Sequence, residues 1–193
     1  MSISDSQNKT AGELVDLVTS RVGSNGAVHP ETAIASIARL AGSLLLRSFN
    51  LNIDSLEPGT VILSTEANEK GPQLIGIMSS MLQQFGLSMD KEKLGGEQSK
   101  LGTKPDFSTV QSLSLLQDDA IGIAKSNGLE LKEAAQSAAM ATAFFVKECA
   151  NDIGVETGFN VAAYNFIDGC KTVPPAIGST PKADNKKPWY KFW

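Results

Sequence analysis

The chain has 193 residues, 41% of them hydrophobic and 20% charged, which is enough to bury a core without disulfides or a structural metal. Its net charge of −4 is unevenly spread: residues 1–170 hold 12 Lys and Arg against 20 Asp and Glu, whereas residues 171–193 hold five Lys against Asp184 alone. An acidic body repels a phosphate backbone, so nucleic acid is not expected as a partner.

Residues 1–9 read as a disordered lead-in. Leu14, Val15, Leu17, Val18 and Val22 then recur at helical spacing, with Gly23 and Gly26 as stop signals. The second helix opens at Pro30 and Glu31, which suit a first helical turn. Ile34, Ile37, Ala38, Ala41, Leu44 and Leu45 give it one broad apolar face, the pattern of a central helix. Phe49, Leu51 and Ile53 alternate with Asn50 and Asn52, and after a turn-like EPGT the run VILS (61–64) reads as an antiparallel partner. STEANEKGP (64–72) reads as a link to a helix in QLIGIMSSMLQQFG. A charged, glycine-containing loop spans 88–105. Asp106 is then a plausible N-cap for a helix that stops at Asn127-Gly128. The alanine-dense segment from Leu129 permits close helix approach and is placed mid-bundle, and a sixth helix covers ETGFNVAAYNFIDG. Four prolines after Lys171 predict an extended linker. The expected architecture is therefore mainly α: about six helices in a single-domain bundle over 10–170. It admits a small two-stranded β-hairpin near 49–64 and carries a Pro/Lys/aromatic C-terminal tail at 171–193.

Catalytic and metal chemistry find little to work with. The single histidine, His29, precedes a helix start, and no nucleophile can be tied to it by spacing. Cys149 and Cys170 lie 21 positions apart, so a zinc site would need scattered ligands. No Glu-x-x-His is present for a di-iron bundle. Asp118-Asp119 and the pair Glu148 and Asp152 fit a solvated acidic face better than a general acid–base pair. Ser88-Met89-Asp90-Lys91 matches S-x-x-K but lacks its companion motifs, and GGEQSKLGTK lacks the order of a phosphate loop. No cofactor or metal is expected, and the balance leans away from an enzyme.

Two features remain. On the second helix, Thr32, Ser36, Arg39, Ser43 and Arg47 fall within about 80° of one another. Such a stripe is the solvent edge of a mostly buried helix, or a set of partners for acids on a neighbour; alternatively Arg39 and Arg47, with Ser36 and Ser43, hold a small anionic ligand through arginine forks. At the C-terminus, Trp189, Tyr190, Phe192 and Trp193 crowd four aromatics into five positions among lysines. Aromatics so dense call for a cover. The tail folds back on the acidic body, docks on another protein or a second copy, or makes weak contact with a membrane interface. The start of the chain has no basic-then-apolar signal pattern, which with two unpatterned cysteines makes a cytoplasmic protein the expectation. The function expected is binding of a protein partner or self-association, with the tail as strap or docking arm.

Overall fold

A computed structural model describes residues 3–23, 29–53, 55–95 and 105–178. Two helices form its centre. They are α2 (Pro30–Arg47) and α5 (Leu131–Glu148). Every residue of α2 from Glu31 to Arg47 is buried. Pro30 at the first helical position fixes the entry, and Ser48 closes the exit by donating its amide to Leu44 and Leu45 carbonyls. In α5 six alanines between 134 and 143 are buried, so neighbours approach its backbone closely from several sides.

α7 (Val155–Lys171) crosses α2 at two glycines. A methyl group at Gly42 would collide with the Phe166 carbonyl oxygen, and one at Gly169 with the Arg39 carbonyl oxygen, so the two backbones are in direct contact. Around this crossing pack α1 (Asp5–Val22), α3 (Thr65–Gln84) and α4 (Thr109–Ser126), while α6 (Ala150–Ile153) is a single turn between α5 and α7. α1 lies against α4 and α5, and α3 against α5 and, more lightly, α7. The protein is mainly helical, and no helix among the described residues is long and apolar enough to cross a membrane.

Several expectations are corrected. The lead-in is not disordered from residue 3 onward: α1 starts at Asp5, because Ser4 and Gln7 form a reciprocal capping box. STEANEKGP is helix rather than link. Ser64 caps α3 by accepting the Ala67 amide, and the helix runs on through Pro72 with one main-chain bond missing because Leu74, Met78 and Leu82 beyond it are buried. Ser108, not Asp106, caps α4; its box partner is Gln111, and Asp106 instead accepts from the Thr32 hydroxyl. No hairpin forms at 49–64 among the described residues. The chain leaves α2 through Asn50 in a left-handed conformation (φ 52°), and residues 59–62 pair with the segment after α7 instead. Val61 bridges Thr172, with Gly59 donating to Val173, Val173 to Thr60, and Ile62 to Lys171. The alternation at 49–53 marks a turn with inward Ile53, not a strand.

The tail is corrected in its first part. Thr172 to Pro175 are buried, extended as expected but clamped onto the bundle. The aromatic cluster Trp189, Tyr190, Phe192 and Trp193 lies outside the described residues.

Candidate functional site

The arginine stripe faces α4 rather than solvent. Arg39 is 7% exposed and Arg47 9%, and Ser36 and Ser43 are buried. Arg39 donates from Nη1 to the Phe107 carbonyl (2.6 Å) and the Ser112 hydroxyl (3.2 Å), and its Nε stands 3.7 Å from Asp168. Asp168 in turn accepts from the Thr109 hydroxyl. Burial holds Arg39 below its ordinary pKa, with the Asp168 carboxylate pulling the other way. Ser36 shares a hydrogen bond with Ser112 (3.3 Å). Arg47 donates to Gln117 Oε1 (3.0 Å) and, from Nη2, to the Pro175 carbonyl (2.6 Å), which Gln117 Nε2 also reaches. Ser43 Oγ, Arg39 Nε and Asn165 Oδ1 are buried without a hydrogen-bond partner among the described residues. The two arginines thus stitch α2 to the start of α4 and to the strap at 172–175. Strap residue Gly178 donates its amide to both carboxylate oxygens of Asp118 (3.1 and 3.0 Å).

The remaining candidates fall into structural roles. His29 Nδ1 lies 3.2 Å from the Thr32 hydroxyl and 3.5 Å from Glu31, at the entry to α2. Asp119 pairs with Arg21 of α1, and Glu148 with Lys147. Burial pushes the Cys149 thiol up to about 11 and the Cys170 thiol up to about 12, so both stay protonated near neutrality. Among the described residues no three His, Cys, Asp or Glu side chains stand close enough to hold a metal ion.

What the sequence pattern did not bring out is a trough. α1 and α3 both lie on α5 and leave its surface open between them. Two adjoining cavities, of about 490 and 360 Å³, run along this line and share Met81 and Met140 in their walls. Ile3, Val15, Ile77, Phe85 and Phe144 add apolar surface, and Gln7, Gln73, Gln84 and Gln136 add amides. Gln7 donates to Gln136 across the floor (2.7 Å). Asp16 is the one ionisable side chain among the lining residues. Gly12 on one wall and Gly76 on the other leave open space where a side chain would stand. At one end Phe144 packs edge-on against Phe145 at 6.4 Å, with Lys147 Nζ 5.6 Å from its ring centre. The signal in the sequence was slight: Met81, Met140 and two outward glycines look like ordinary helix composition until α1 and α3 are seen to stand apart.

A second apolar cavity, about 380 Å³, lies between α3 and α7, lined by Gly71, Pro72, Ile75, Phe166, Ile167 and Cys170 among others, with Lys171 at its edge. No family model matches the chain, and comparison with curated proteins and with solved structures found no match.

Proposed function

We propose that the chain is a non-enzymatic helical protein that works by binding another protein or a second copy of itself, with its aromatic C-terminal segment as strap or docking arm. The observation that carries the reading is the open trough on α5. Thioether side chains adapt to varied apolar surfaces, and a groove walled by two helices suits an amphipathic segment that lays aromatic and aliphatic side chains into it. Glutamine amides along the walls can bond the main chain or polar tips of such a segment. The acidic body favours a basic occupant. This reading places the protein in the cytoplasm, where two free thiols stay reduced.

The rival reading, a small anion held by Arg39, Arg47, Ser36 and Ser43, has no comparable observation in its favour, since both guanidinium groups point at Phe107, Ser112, Gln117 and Pro175 inside the fold. The test of the docking reading is site-specific photo-crosslinking in the native cell from position 76, in the trough, and from position 122, an open glycine of α4. Intermolecular adducts from position 76 and none from 122 are expected. Adducts from neither position, or equally from both, would sink the reading.

A further inference from the structure

Two apolar troughs flank α3, and the chain carries one segment whose chemistry suits such a surface. The geometry points to residues 186–193 of the same molecule, KKPWYKFW, as the resting occupant of the trough between α1 and α3; this rests on the reading of that trough as a docking surface. Charge selects between the two. The α3–α7 trough presents Lys171, which repels a lysine-rich segment, whereas the α1–α3 trough presents Asp16. Lys147, near the Phe144 end, is paired with Glu148 and adds no free cation there.

Reach favours the same choice. The strap is pinned where Gly178 donates to Asp118, and the next residue of α4, Asp119, pairs with Arg21 in the last turn of α1. The chain therefore leaves the described fold beside the C-terminal turn of the helix whose other flank is the trough wall. Seven residues, 179–185, span at most about 23–25 Å when extended. A helix with its side chains is about 10–12 Å across, so Lys186 reaches Asp16 around α1. From Asp16 back to Ile3 the wall runs 13 residues of helix, or about 20 Å, and eight extended residues cover at most about 26–29 Å. Trp189, Tyr190, Phe192 and Trp193 then meet Met81, Met140, Phe85 and Phe144, with the Gln73 and Gln84 amides on the α3 wall to accept from the indole N–H groups. The segment is in this view a built-in competitor, which a partner displaces on binding.

Trp189 and Trp193 are the only tryptophans, so the emission of the full-length protein reports on this segment alone. Gly12→Lys and Gly76→Lys obstruct the trough and repel the lysines, and a Cβ at either position meets no atom within 4 Å, so the core is untouched. Wild-type emission is expected to be blue-shifted, poorly quenched by acrylamide and unchanged on dilution from micromolar to nanomolar. Each lysine variant is expected to shift it red and raise the quenching constant several-fold, while Gly122→Lys leaves it alone. If circular dichroism shows that one variant has lost helix, the other decides. Three results would overturn the inference. Red, freely quenched wild-type emission means the segment is not docked. Blue emission untouched by both trough variants means it is covered elsewhere. Blue emission only at high concentration means the occupant comes from a second copy. The first two leave adducts with other proteins from position 76 intact, so they are separable from failure of the docking reading itself.

Discussion

Arg39 carries a charge into a site closed on most sides, and three groups on two other helices and a loop are arranged to receive it. Replacing it with Met keeps the stem but leaves the Phe107 carbonyl and Ser112 without their donor; hydrogen bonds to charged groups are worth about 1.5–3 kcal/mol, and Arg39→Met is expected to lower the urea unfolding free energy by roughly that much. Arg39→Lys is expected to recover only part, since one ammonium cannot copy a planar fork. Cys170 gives a pH dependence. Its thiol is pushed up to about 12 in the fold by burial and lies near 8.5 in an unfolded chain, so its contribution is complete below about 8.5 and is lost as pH rises from there toward 12. The urea midpoint is expected to fall across that window and Cys170→Ala to flatten the fall. At this scale the sequence identified which residues share the α2 stripe but not what they face. Periodicity fixes the angle between side chains and is silent on whether water or a helix lies opposite. The clue was on α4, where Ser112 and Gln117 occupy the same inward face as Leu113 and Leu116.

Helices were legible where side chains alone decide them and illegible where main-chain groups do. The apolar faces of α1 and α2 followed from spacing, and the central place of α5 from its alanine density. The start of α3 was hidden because Gly71-Pro72 reads as a break, yet the cap at Ser64 and the buried face beyond Pro72 hold the helix through it. The pairing of 59–62 with 171–173 joins segments over 100 residues apart, and no local pattern encodes that. Glycines sort by what surrounds them. Gly42→Ala and Gly169→Ala push a methyl into the backbone of the crossing helix, and each is expected to destabilise by about 3 kcal/mol or more, the upper end of overpacking. Gly12→Ala and Gly76→Ala place theirs in open space within a helix, and each is expected to stabilise by up to about 1 kcal/mol. Thermal melts of the four variants check both signs. If Gly42→Ala melted with the wild type, α2 and α7 would not cross as closely as described.

For the molecule as a whole, the boundary between body and tail falls later than composition indicates. Lysine and proline counts put it at residue 171, but Thr172 to Pro175 are buried and the Pro175 carbonyl receives bonds from both Arg47 and Gln117. Ending the chain at Lys171 removes the carbonyl that both donors share and is expected to lower stability by about 2–4 kcal/mol, whereas ending it at Gly178 keeps it. Comparing the two shortened chains by urea unfolding separates the strap from the aromatic segment. An equal loss in both would show that the strap bonds contribute nothing. The order of synthesis gives this strap another significance. α2, buried along nearly its whole length, leaves the ribosome early, but its crossing helix α7 and the carbonyl that receives Arg47 come about 110 to 130 residues later. At roughly 5–20 residues per second that delay is of the order of 5–25 s. During it α2 can be covered by α1, α4 and α5 as they emerge but lacks the helix it touches most closely. Nascent chains stalled short of Pro175 are therefore expected to aggregate more readily than the finished protein, which a comparison of stalled and released chains by sedimentation checks.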